Sequence, residues 1–154
     1  MSPIRTTAGR DGYTLIELLT VLVLILLIAS LAAPSMNSYL GHTKTRRALD
    51  RISNDIALAR MAAVRGGSRA VIDFTAGTSY TITLQGPPAR VIRQVNLGQE
   101  YGGVTVAAPS ADGRLVFDSR GLLVTTTAGP LKVRAQGQAD SALVTAGGRV
   151  YRDY

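Results

Sequence analysis

Between Leu18 and Ala33 the chain carries no charged residue and only two hydroxyls, Thr20 and Ser30. A helix built from such a stretch is apolar on every side, so it must be buried in a large core, in a membrane or among other chains. From Tyr13 to Ala33 there are 21 residues, against about 20 needed to cross the hydrocarbon core of a bilayer as a helix. Pro34 follows as a breaker or kink point. The stretch therefore predicts one membrane crossing. An ordinary cleavable secretory signal fits less well, because Ala29-Ser30-Leu31 and Leu31-Ala32-Ala33 match a small-x-small cleavage site only in part. The flanking charge does not orient the span, since Arg5 and Arg10 precede it and Lys44, Arg46, Arg47 and Arg51 follow it.

Glu17 is out of place in this segment. An ionised carboxylate at hydrocarbon depth costs roughly 2.5–3.5 kcal/mol on insertion scales unless something pairs with it. One account places it at the helix N-terminus, where the helix dipole favours an acid by about 0.3–1 kcal/mol and headgroups hydrate it. The other supplies a partner from outside the chain.

The whole string decides between them: a short leader with Arg5 and Arg10, then Gly12, Tyr13, Thr14-Leu15-Ile16, Glu17, the apolar run and Pro34. This string resembles the class III signal of type IV pilins and type II secretion pseudopilins. The resemblance implies that prepilin peptidase cleaves after Gly12 on the cytoplasmic side and that the new amino terminus, Tyr13, is N-methylated. Tyr13 stands where the family usually has Phe. It also implies that Glu17, fifth in the mature chain, pairs with the Tyr13 ammonium of a neighbouring subunit during assembly. The leader is then cytoplasmic and everything beyond the span lies outside.

Past Tyr39 the pattern becomes amphipathic. Leu49, Ile52, Ile56, Ala59 and Ala63 recur at three- and four-residue steps, while Arg46, Arg47, Asp50, Arg51 and Asp55 fall elsewhere. Arg46 with Asp50 and Arg51 with Asp55 are four apart, which predicts an exposed, paired helix face worth tenths of a kcal/mol per pair. Gly66-Gly67 after Arg65 reads as the C-terminal stop.

From residue 68 the period changes. Short β-branched runs at 70–74, 80–84, 91–95, 104–106, 115–117, 122–125, 131–134, 142–144 and 150–151 predict strands. Ala76-Gly77, Gly86-Pro87-Pro88, Asp112-Gly113 and Gly147-Gly148 mark turns between them. So short a set of strands buries little alone, and the apolar face of the 39–65 helix is expected to complete its core. The predicted fold is α+β, with a long N-terminal helix packed on an antiparallel sheet domain. The predicted divisions are a leader at 1–12, a membrane and assembly helix at 13–33, its amphipathic continuation at 34–66 and an external β-rich region at 67–154. The run Leu115-Val116-Phe117-Asp118-Ser119-Arg120-Gly121, with a terminal Gly148-Arg149-Val150-Tyr151-Arg152, looks like the GspH/FimT branch of pseudopilins and minor pilins.

Chemistry that needs clustered ligands or nucleophiles has little to work with. The chain has no Cys and one His, which excludes disulfides, thiolate metal sites and thiol catalysis. His42 has no nearby partner in sequence, no glycine run forms a nucleotide-binding loop, and the acids are scattered. No cofactor, metal site or catalytic residue is expected, and the protein is read as non-enzymatic.

Charge is more informative. Residues 41–154 hold 15 Lys+Arg against 8 Asp+Glu, a balance of +7. Lys132, Arg134, Arg149 and Arg152 lie in the last 23 residues with Tyr151 and Tyr154 between and beyond them. Arginine forks onto phosphates and tyrosine stacks on bases, and the FimT-type resemblance implies DNA binding through the tail at Arg149 and Arg152. The alternative is that these cations occupy the wet face of two strands.

The resemblance thus implies a minor pseudopilin or minor pilin. Such a subunit is single-pass in the bacterial inner membrane, with its β region periplasmic, and is then drawn by the inner-membrane assembly platform into a helical fibre near the tip. Its partners are prepilin peptidase, other pilins or pseudopilins, and lipid before assembly. Both the type II secretion pseudopilus and the type IV pilus use this scaffold. DNA is the further partner if the subunit serves uptake in natural transformation.

Overall fold

The computed structural model describes residues 13–74, 77–125 and 129–152, with the side chains of all but 31–35. The leader and Gly12 lie outside the described residues. One helix, α1 (Leu15–Gly66), runs through two compact units, residues 1–36 and 37–154.

In the first unit α1 begins at a side-chain cap. The Glu17 amide donates to Thr14 Oγ1 at 3.3 Å and to the Thr14 carbonyl at 3.1 Å, which satisfies one of the amides left unpaired at a helix start. The two hydroxyls of the apolar run are absorbed by the helix itself: Thr20 Oγ1 donates to the Ile16 carbonyl and Ser30 Oγ to that of Leu27. The helix is continuous through Pro34, so the proline does not end it. Among the described residues no helix is long and apolar enough to cross a membrane. The described apolar side chains run from Leu15 to Ser30, about 24 Å at 1.5 Å per residue, whereas the sequence stays apolar to Ala33.

In the second unit α1 buries a stripe. Ala48, Leu49, Ile52, Ile56, Ala59 and Ala63 are all 1% exposed or less, and each large member contributes roughly 1.5–3 kcal/mol on burial. The Ser68 amide bonds back to the Ala63 carbonyl and that of Gly67 to Val64, closing the helix at the expected stop.

The strands of the expected antiparallel β domain form two sheets. β1 (Arg69–Asp73), β2 (Ser79–Gln85), β3 (Arg90–Asn96) and β5 (Arg114–Phe117) make the first, in the order β3-β2-β1-β5. β4 (Thr105–Ala107), β6 (Leu131–Ala135), β7 (Gln138–Val144) and β8 (Val150–Arg152) make the second, in that order. The chain thus changes sheet at β4, returns at β5 and leaves again at β6. Such crossings are invisible to local periodicity, which reports that a strand exists and not which strand it pairs with.

Register places the apolar rows. Ala70 faces Leu84 and Phe117, and Ile72 faces Ile82 and Leu115, so the inner side of the first sheet is a continuous apolar surface. Leu131 faces Ala142 and Val133 faces Val106 in the second. Both rows and the helical stripe join in one core.

Two local readings differ from expectation. Residues 122–125 make only an isolated bridge, Leu123 to Phe117, because the Val116 amide goes to the Thr125 side chain instead of a backbone partner. A short helix, α2 (Leu97–Glu100), follows β3, capped by the Asn96 side chain accepting from the Gln99 amide. Asn96 with Gln99 three residues on is the sequence signal that would have announced it.

Candidate functional site

The predicted assembly residues open α1. Tyr13 is 85% exposed, and Glu17 occupies the third helical position under the Thr14 cap. Among the described residues the Glu17 carboxylate has no ion-pair partner. Below it, large apolar side chains from Leu15 to Ile28 are exposed on every side of the helix, each by 50% or more. A soluble monomer rarely shows a contiguous apolar surface of this kind, which marks a site covered by lipid or protein.

The helix face predicted to be wet is partly a lock. Asp55 is 1% exposed, and its carboxylate accepts from the Tyr80 hydroxyl at 2.6 Å and from Arg93 Nη1, with Arg51 Nε at 3.5 Å. Burial first, and then the bond to Asp55, push the Tyr80 phenol far above its ordinary value. The Arg51–Asp55 pair is therefore real but buried on its acidic side. The Arg46–Asp50 pair is not formed: Asp50 accepts instead from Arg152 Nη2 at 2.6 Å, and Arg46 offers its carbonyl to the same group. Helical spacing could not reveal that partner, which stands 102 residues away.

That contact divides the four predicted tail cations. Consecutive strand residues point to opposite faces, so Tyr151 faces outward while Arg152 turns in to α1. Lys132 and Arg134 are on the outer face of β6, exposed between buried Leu131, Val133 and Ala135. Their same-face neighbours across the ladder are Ser141 and Ala139. Arg149 sits in the turn joining β7 to β8, where Thr145 bonds both its amide and its carbonyl. The structure brings Lys132, Arg134 and Tyr151 to one sheet face and sets Arg149 and Arg152 elsewhere.

The two motif stretches meet on the helix. Asp118 Oδ1 accepts the amides of Arg120 and Leu122, and Oδ2 accepts from Arg120 Nε at 3.0 Å. These bonds, led by the Leu122 amide, hold the Asp118 carboxyl below its ordinary value. The turn ends at Gly121, with φ at +78°, where a Cβ would come within 2.8 Å of Val64 and 3.1 Å of the Arg60 side chain. Gly148, with φ at +71°, would place a Cβ 2.9 Å from Phe117 and 3.3 Å from Arg60 Cδ. Both glycines meet the positive backbone angle that side chains resist, and both leave room for the Arg60 stem. Sequence inspection did not single out Arg60, because nothing local marks a helical arginine as the meeting point of two distant turns.

A family model for Type II transport protein GspH matches residues 48–148, which takes in the buried stripe, the first sheet, the second sheet apart from β8, and both glycine turns. The chain belongs to the GspH family. Two crystal forms of the type IV minor pilin FimU from Pseudomonas aeruginosa share this chain's fold. One has a TM-score of 0.56 at 17% identity, covering 73% of this chain and 90% of that one. The other has a TM-score of 0.54 at 18% identity, covering 71% and 92%. No curated protein shows a significant match. The GspH family is one of structural pilins and pseudopilins that assemble into fibres, and this chain is a structural subunit of that kind.

Proposed function

We propose that the protein is a non-enzymatic minor pseudopilin or minor pilin that is held in the inner membrane by residues 13–33 and then drawn into a type II secretion pseudopilus or a type IV pilus. The observation that carries this reading is the stretch from Tyr13 to Ile28, apolar and exposed on every side, with Glu17 as its single charge. In the membrane, lipid covers that surface. In the fibre, the same surface on neighbouring subunits covers it, and the helices form an apolar centre. Cleavage after Gly12 by prepilin peptidase creates an ammonium at Tyr13, methylated in the mature subunit, and Glu17 of the next chain neutralises it. The pairing removes two charges from an apolar setting at once, which gives it control over register. The β region then stands on the periplasmic side, near the fibre tip.

The test is Glu17→Val. Cleavage and membrane insertion are expected to persist while co-purification with partner pilins falls steeply. Normal incorporation of the variant would refute the pairing.

A second reading, DNA binding during uptake, rests on Lys132, Arg134 and Tyr151 sharing the outer face of the second sheet. DNA titrated across a salt series against a Lys132→Ala/Arg134→Ala variant tests it. Two lost phosphate contacts lower the slope of log affinity against log salt by up to about two. An unchanged slope removes this reading.

A further inference from the structure

A groove of about 590 Å³ runs between α1 and the β7–β8 turn, lined in part by Ser53, Asn54, Arg60, Met61, Arg149 and Tyr151. Among the described residues no acidic side chain lines it. Elsewhere in the protein, arginines beside the sheets or helix meet carboxylates: Arg93 and Arg51 at Asp55, Arg114 at Asp73, Arg120 at Asp118 and Arg152 at Asp50. Among the described residues, Arg60 and Arg149 have no such partner, as is also true of Arg46, Arg47, Arg65, Arg69, Arg90 and Arg134, but Arg60 and Arg149 share one groove. A carboxylate entering the groove can offer its oxygens to guanidinium donors lining it.

The groove is also prepared for its occupant. The Arg60 stem lies beside Gly121 and Gly148, where a Cβ on either would come within 3.3 Å of it, so the two turns border the stem of an otherwise exposed side chain. Met61 and Tyr151 are each about half exposed on the groove walls, an apolar surface for a neighbouring apolar side chain. Ser53 and Asn54 add polar groups along the helix edge.

We propose that this groove docks an acidic segment of a neighbouring fibre subunit, with Arg60 and Arg149 pairing with its carboxylate while Met61 and Tyr151 cover an adjoining apolar residue. The assignment rests on the fibre-subunit reading above. A second copy of this chain is a poor occupant, since each copy carries +7. Nucleic acid is disfavoured here as well. A duplex engages many phosphates at once, but Arg152 is tied to Asp50 and both Lys132 and Arg134 lie on the outer sheet face. Among the described residues, Arg60 and Arg149 are the two cations that line the groove.

The test uses the full chain in detergent and a short fluorescein-labelled peptide with two glutamates flanked by leucines, read by fluorescence anisotropy. Arg60→Gln and Arg149→Gln are each expected to weaken binding about tenfold or more, as loss of a charge-assisted pair does. Arg90→Gln, on the outer edge strand and away from the groove, is expected to bind as the parent does. The glutamine twin of the peptide is expected not to bind. Because the Arg60 stem packs between two glycines, Arg149→Gln carries the test if Arg60→Gln fails to fold. Equal binding by Arg149→Gln, equal binding of the glutamine twin, or tighter Arg149-dependent binding of a DNA duplex would each overturn the proposal. Peptide binding needs no fibre, so a normally incorporated Glu17→Val variant would sink the assembly reading and leave this result standing on its own.

Discussion

Ile25 and Ile56 stand on the same helix, and the first is 56% exposed while the second is wholly buried. Around Ile56 the apolar residues form a stripe that the two sheets cover. Around Ile25 they go all the way round, and nothing in the chain's own second unit is needed to explain them. A stripe is what a helix needs when its core comes from the same chain. A fully apolar surface is what it needs when the cover comes from lipid or from other subunits. The same residue types thus serve internal stability in one stretch and external assembly in the other.

The sharpest way to break that contrast is to truncate one isoleucine from each stretch. Ile56→Ala is expected to cost the second unit about 2–5 kcal/mol, whereas Ile25→Ala leaves its stability within about 0.5 kcal/mol. Hydrogen exchange of the sheet amides reads both, and equal effects would end the division. Tyr80→Phe comes next. It leaves Asp55 buried with one donor fewer, and a loss of about 1–3 kcal/mol is expected in the same measurement. Gly121→Ala is expected to cost about 1–2 kcal/mol, since a side chain must adopt the left-handed angle against Val64. Arg152→Ala, which removes a partly exposed pair with Asp50, is expected to cost about 0.2–1 kcal/mol and to fade with salt.

The smallest effect concerns pH. The folded Asp118 carboxyl sits below its ordinary value of 3.8, so its contribution is full above that value and is lost as pH falls through the lower folded one. Asp118→Asn is therefore expected to be slightly less stable than the parent at neutral pH, with the difference closing in acid. Melting curves at neutral pH and near pH 2 check this, and a gap that widens in acid would contradict the assignment.

Much of this was legible in the sequence where the governing contact is local. The stripe from Leu49 to Ala63, the helix stop at Gly66-Gly67 and most strand positions follow from spacing and turn residues within a few positions of each other. What stayed hidden depends on distant partners. Asp55 reads as a wet helical acid until Tyr80 and Arg93 arrive from β2 and β3. Arg152 reads as a tail cation until Asp50 claims it from the helix. The second sheet was hidden for the same reason, because β4 and β5 exchange sheets without any change in their own periodicity. At the amino terminus the reverse holds: Gly12, Tyr13 and Glu17 are plain in sequence, and the structure adds the Thr14 cap that starts the helix beside them.

The central claim is that the mature chain begins at Tyr13 and keeps the apolar helix that follows. Intact-mass measurement of the chain extracted from membranes tests it directly. A mass starting at N-methylated Tyr13 is the predicted result. A mature chain starting after Ala33, or one still carrying residues 1–12, would contradict it.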